Sequence, residues 1–463
     1  MDFLMVMATF GGVMICWKLV RQITGSWVPF RPTPLGVGFF ALLITHYLSS
    51  VFFLGADTEF AQAREFHLAV TLTMAALTVG AVLANGVVRL RRGEISGFYR
   101  EASAASPTRR DIRAVIGLGA VCLLVFGAFA TGANSYPLRE LLAGADTSQV
   151  NELRSMALGE ESRPFWLLFG TFRVSVMPLL FICALLVWKH ARGMVTRLAL
   201  GCSMTVVLVY QSWTSAKTPV AMLAAFVAIA LLIRRPERGN RSCGRTIVGL
   251  VLLGSIVVGY PFWIFSMKQF GMSNTAETVV VDGIVNRIAR TPAELSYTQF
   301  EIFPEQLPYT EFRDISLLSR VLDREYVNLS RTTARLAHGT VSNAPPASPG
   351  NLYAQGGWWV LGIGSMLMGA VLHIVQVWAV RRLPASPLSI GLMVLLCWGA
   401  FRLSMTSFHS FLMTEAVVPF FAVAVMWMAY RGASRRRSHY PGSTDTLGLN
   451  ATSVAREMPH ELR

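Results

Sequence analysis

The side chains in this sequence best placed to do chemistry are cations and carboxylates that either lie where lipid would penalise them or gather in a segment facing water. Lys217 follows the small hydroxyl residues of QSWTSAK and precedes Pro219, so an ammonium stands beside a helix start. That is a concentrated positive site suited to phosphate, although a lysine snorkelling to an interface reads the same way. Arg287 and Arg290, in DGIVNRIARTPAELSY, lie one helical turn apart and can converge on one polyanion. Arg173 lies about 12 Å inside its apolar run at 1.5 Å per residue. It faces either an anion in a polar cavity or an acid on another helix. Glu294, Glu301 and His338 are the groups able to act as a general base near these cations, and each also reads as a member of a loop salt bridge. Arg402 and Glu415 flank a turn at matching depth and read as a structural ion pair, because an ionised group at membrane depth needs a partner or a function.

A row of arginines adds a second feature. If Arg313 to His338 forms one amphipathic helix, then Arg313, Arg320, Arg324, Arg331, Arg335 and His338 fall within about 60° of one another. Leu318, Leu322, Tyr326, Leu329 and Leu336 take the opposite side. Such a face is a track for a negatively charged or hydroxyl-rich glycan, or for lipid phosphates; the alternative is a charged face turned to water.

The elements that must position these groups are membrane helices. With 463 residues, 53% of them hydrophobic, 14% charged and a mean hydropathy of +0.49, the chain is too apolar for a soluble protein and too long for one anchor. The pattern predicts an all-α polytopic membrane protein. Apolar runs near the roughly 20 residues that cross a bilayer fall at 2–20, 34–54, 67–88, 112–132, 165–187, 198–213, 218–233, 246–266, 357–380, 387–407 and 409–430, about 11 transmembrane helices in all. The first lacks a basic n-region and a cleavage site and reads as a retained helix.

The organisation follows: helices within 1–266, a large mostly helical loop at 267–356, three more helices within 357–430, and a basic, Ser/Thr/Gly/Pro-rich tail at 431–463 that reads as disordered. The stretch 267–350 holds eight Lys/Arg and nine Asp/Glu, a soluble-domain balance. Alternate loops collect 26 of the 41 basic residues against 7 acids. The positive-inside rule puts those loops and the C-terminus in the cytoplasm, with the N-terminus and the large loop outside. The net charge of +15 is therefore a topology signal and argues against nucleic acid. Five of the six cysteines lie in apolar runs and Cys243 in a basic loop, which is no disulfide framework. No grouping with metal-ligand spacing stands on the outward side, though Asp57 and Glu59 make an acidic pair in the first outward loop.

In layout, and in QSWTSAKTP at a helical hairpin and SNAPPASPGNLYAQGGWWVLGIG leading into a span, the chain resembles the oligosaccharide repeat-unit polymerases of O-antigen and exopolysaccharide synthesis, relatives of the O-antigen ligases. The resemblance implies a membrane-embedded, GT-C-like glycosyltransferase of the bacterial inner membrane that needs no metal or cofactor. It would act at the periplasmic face on oligosaccharides linked to undecaprenyl pyrophosphate, in contact with membrane lipid, and leaves room for a chain-length regulator as partner. Basic residues of the outward loops hold the pyrophosphate in such enzymes; here the candidates are Lys217, Arg287 and Arg290, to which their own placement adds the intramembrane Arg173 for the pyrophosphate and Arg320, Arg324, Arg331 and Arg335 toward the glycan. Ligase relatives carry a histidine followed ten residues on by glycine, whereas eleven residues separate His338 from Gly350. Arg154 with Leu158 matches a short ligase-like spacing. A flippase or transporter of lipid-linked oligosaccharides is the competing reading, with Arg173 and Arg402 lining a central cavity. A scaffolding subunit of an export complex is a third.

Overall fold

A computed structural model describes residues 3–25, 31–54, 62–91, 93–132, 140, 168–213, 217–234, 290–338 and 347–437; of these, the side chains of 212–221, 316–317, 337–338 and 433–437 are not described. The described residues form helices and no strand. Eight helices are long and apolar enough to cross a membrane and two shorter apolar helices accompany them. They fall on ten of the eleven apolar runs of the sequence, and the remaining run, 246–266, lies outside the described residues.

The helices are α1 (Phe3–Thr24), α2 (Pro34–Leu54), α3 (Ala63–Val87), the short α4 (Glu94–Ala104), α5 (Arg109–Gly132), α6 (Leu168–Trp188), α7 (Met194–Trp213) and α8 (Lys217–Ile233). After them come α9 (Thr291–Ile302), α10 (Ser316–Val321), α11 (Leu329–His338), α12 (Ser348–Arg382), α13 (Pro387–Arg402), α14 (Phe408–Ser410, continued by a π turn at Phe411–Glu415) and α15 (Val417–Arg437). Side-chain bonds between helices show that they alternate in direction. At one end Thr9 of α1 meets Tyr47 of α2 and His67 of α3, and His46 of α2 meets Ser296 of α9. At the other, Tyr99 of α4 donates to the carbonyl of Pro32, and Asp111 of α5 meets Ser386 before α13 and Trp427 of α15. We call the end that carries α9 to α11 the upper end.

The centre of the bundle is α13, whose residues from Pro387 to Ala400 are all buried. It packs against α2, α6, α8 and α15. Helices in lipid gain little from apolar burial against one another and associate through close packing, which favours small residues at crossings. The contact of α3 with α12 is built that way. A Cβ on Gly80 would stand 1.9 Å from the carbonyl oxygen of Met366, and one on Gly369 would stand 1.9 Å from that of Leu77. The two backbones touch through reciprocal glycines.

The lower end is fixed by buried polar bonds. Thr108 and Asp111 cap α5 reciprocally, each side chain accepting the other's backbone N–H (2.9 and 3.2 Å). The fully buried Asp111 carboxylate also takes the Trp427 indole N–H at 3.1 Å and an ion pair with Arg431 at 3.2 Å. Glu94 ties α4 to the last turn of α12 through Arg381 at 2.8 Å, and that bond holds its carboxyl below the usual range.

At the upper end the single amphipathic helix expected over Arg313 to His338 is not formed. Arg313 lies in a turn, and its side chain donates to the carbonyls of Tyr309 and Thr310. Asp323 adopts a left-handed φ of 51°, residues 324–328 are not helical, and Val327 N–H reaches back to the Arg313 carbonyl at 3.1 Å. Asn328 then caps α11 by accepting the N–H of Arg331. The physical reason lies in burial. Of the apolar residues meant to carry that helix, only Leu329 is buried, whereas Leu322, Tyr326 and Leu336 are exposed. An apolar face without a surface to cover cannot hold a long helix together.

Candidate functional site

The upper segment is anchored before it offers any chemistry. Phe300 of α9 stacks on Tyr353 of α12 at 3.9 Å between ring centroids and meets Phe66 of α3 edge-on. Such aromatic pairs add about 0.5–1.5 kcal/mol each beyond their buried area. Tyr297 accepts the Gln62 N–H, and burial, with the Glu301 carboxylate beside it, pushes the Tyr297 hydroxyl up. Gln299 donates to Thr333, fixing α11 on α9. Helix α12 begins inside this assembly, nine residues before the apolar run, and breaks at Gly356–Gly357, where Gly357 has φ 67° and a Cβ would stand 2.8 Å from the Tyr309 hydroxyl.

That early start brings Asn351 and Gln355 under the upper segment. Both donate to Asp314, Asn351 Nδ2 at 2.9 Å and Gln355 Nε2 at 2.6 Å. Gln355 Oε1 accepts in turn from the Phe312 N–H and the Thr310 hydroxyl. Asp314 is only 8% exposed, and among the described residues no Lys or Arg pairs with it. His409 of α14 is half-buried, its Nε2 3.4 Å from the Ser407 hydroxyl, and lies within electrostatic reach of both Asp314 and Glu415.

Below His409 the chain closes on itself. Arg402 donates to Glu415 at 3.0 Å and Thr406 to the other carboxylate oxygen at 3.1 Å, so the expected ion pair is present. Ser348 donates to the Thr406 carbonyl, tying the start of α12 to this turn, and Ser407 caps α14. Ser175 of α6 donates to the carbonyls of Thr414 and Glu415, which places the π turn Phe172–Val176, with Arg173, against the π turn of α14. Gln211 of α7 donates to the Arg173 carbonyl at 2.6 Å. Four separated stretches of the chain, around Arg173, Asp314, Asn351 and His409, meet at the upper ends of the helices.

The residues singled out from the sequence fall as follows. Arg290 donates from Nε to Glu294 at 2.5 Å, one turn further along α9, so these two occupy each other. Arg287 lies outside the described residues. Lys217 is the first residue of α8, at the helix start expected for it, and its side chain is not described. Glu301 faces Tyr297. His338 is the last residue of α11, and its side chain too is not described. Arg320, Arg324, Arg331 and Arg335 are all exposed, Arg324 in an ion pair with Glu311 at 2.6 Å. With the helix broken they do not form one continuous row. Asp314, Asn351, Gln355 and His409 went unnoticed in the sequence. The signal for two of them was there, since Asn351 and Gln355 are four apart within NLYAQ and share a helix face.

Among the described residues no three His, Cys, Asp or Glu side chains gather closely enough to hold a metal ion. Comparison with protein-family models, with curated proteins and with solved structures found no match.

Proposed function

We propose that the protein is a membrane-embedded glycosyltransferase that joins oligosaccharides carried on undecaprenyl pyrophosphate, working at the upper end of its helices, which would face the periplasm. The observation that supports the reading is a buried carboxylate, Asp314, held by two amides, with the half-buried imidazole of His409 within electrostatic range of it. In the reaction an acceptor sugar hydroxyl attacks the anomeric carbon of the donor, the bond from that carbon to the diphosphate oxygen breaks, and undecaprenyl pyrophosphate leaves. His409 takes the hydroxyl proton and Asp314 stabilises the imidazolium that results, help worth about 10²–10⁴ in rate. Arg173, with Lys217 and Arg287 as the sequence suggests, would meet the charge that builds on the departing diphosphate. Arg290 and Glu294 brace α9 in this reading, and Arg402–Glu415 braces the turn beneath the histidine.

The test uses purified protein supplied with a lipid-pyrophosphate-linked repeat unit. A ladder of longer glycans is expected from the native protein, with a loss of about 10²-fold or more in H409Q and D314N. Flipping of the lipid in liposomes with no ladder would overturn the transferase reading in favour of a transporter. A ladder that survives both substitutions would remove His409 and Asp314 from the chemistry.

A further inference from the structure

The lower end carries a cleft that the transfer reaction does not use. Its volume is about 530 Å³, and it lies where α5 begins and α12 and α15 end, lined by Arg109, Arg110, Arg382, Arg431, Thr108 and Met428 among others. The four guanidinium groups are not equivalent. Arg431 is held by Asp111 and lies 5.2 Å over the Trp427 ring, so its charge is largely compensated and its position fixed. Arg109, Arg110 and Arg382 have no hydrogen bond or ion pair from their side chains to any described residue. Three uncompensated cations thus surround one recess. Their level is set by the helices. Arg109 opens one membrane-length helix, Arg382 closes another, and the apolar stretch containing α15 ends at Gly432. Polar headgroups lie at that depth. Further into the membrane-spanning parts of the same helices, Leu123 and Leu124 on α5 and Val425 and Met426 on α15 are each more than half exposed.

We infer that this cleft binds the phosphate of an anionic phospholipid, with the acyl chains lying on the exposed faces of α5 and α15. Guanidinium groups favour phosphate through paired, charge-assisted hydrogen bonds. A soluble phosphate would satisfy the arginines equally well but would leave the apolar faces above them unused, which is why the lipid is the occupant assigned.

The test is a titration of the purified full-length protein with phosphatidylglycerol, bound lipids being counted by native mass spectrometry, with phosphatidylcholine and glycerol phosphate in parallel. The triple variant R109Q/R110Q/R382Q is compared with R91Q/R113Q/R192Q, which removes three exposed arginines outside the cleft. The expected result is retention of phosphatidylglycerol weakened about ten-fold or more in the cleft triple, unchanged in the other, and no preference for phosphatidylcholine anywhere. R382Q alone, at the exposed end of α12, is expected to show a smaller loss in the same direction and serves if the triple does not fold. Equal retention by both triples, or equal loss from both, overturns the site. Displacement of the lipid by an equal concentration of glycerol phosphate keeps the phosphate chemistry but overturns the lipid as its source.

Discussion

At the scale of the residue, the upper end separates groups that hold structure from groups left for chemistry. Arg402 and Glu415 are mostly shielded, side chains 21% and 7% exposed, and 3.0 Å apart. Removing one partner leaves the other charge buried without compensation, at a cost of about 3 kcal/mol. E415Q and R402M should each lower stability by that order, measured by unfolding in detergent, while the double variant should lose much less than the sum. Full additivity would mean that the two side chains do not interact. Asp314 differs, because its hydrogen-bond partners are neutral amides, with His409 within electrostatic range. D314N sets an amide N–H against one of the two donating amides and should lower stability by about 1–3 kcal/mol, so its loss of turnover is to be measured on folded protein, well below its unfolding temperature. The sequence showed the ion pair because both members lie near one turn at matching depth. It could not show Asp314 with His409, since spacing along a chain carries no information about partners brought together by a distant fold.

At the scale of the element, the tightest joint is the crossing of α3 and α12, where each glycine meets a backbone carbonyl. Backbone cannot move aside as a side chain can, so G369V should separate the helices and cost about 3 kcal/mol or more. The check is thermal unfolding in detergent, with G362V as reference, since a Cβ at Gly362 meets nothing within 4 Å. The joint of α4 with α12 makes a prediction about pH. Its Arg381 bond depresses the Glu94 carboxyl, so the contribution to stability is present above the unfolded value, near 4.5, and is lost as pH falls through the depressed folded value. Both side chains are partly exposed, so the effect stays under about 1 kcal/mol. E94Q should flatten that part of the acid limb and leave stability near neutral pH lower by a similar small amount. Sequence alone misjudged the helices of the upper segment for a related reason. A 100° periodicity over Arg313 to His338 describes which residues would share a face, but a face becomes a helix only where something covers it, and of those apolar residues only Leu329 is fully buried.

At the scale of the whole molecule, the alternation of helices is the property on which the rest depends. The described chain reaches the lower end at Arg234, whose charge acts on His190, and resumes at the upper end with α9. Helix α1 starts near the upper end and α15 runs to the lower. Reporter fusions at residue 1 and beyond residue 437 should therefore fall on opposite sides of the membrane, the C-terminal one in the cytoplasm if the basic loops lie inside. Fusions reporting the same side would break the proposed eleven-crossing arrangement.

Hydropathy and the charge of short loops determined, with no structure in hand, that the chain is a polytopic helical membrane protein and where ten of its helices run, because each helix must meet lipid and water by its own composition. They also marked Arg402–Glu415, since a charge in lipid announces its need for a partner. Only the tertiary structure decided that Asn351 and Gln355 both hold Asp314 with His409 within electrostatic range, that the arginine row of the upper segment is broken, and that Arg109, Arg110 and Arg382 share a cleft with Arg431. Those outcomes depend on which surfaces cover one another, a matter of packing between parts far apart along the chain.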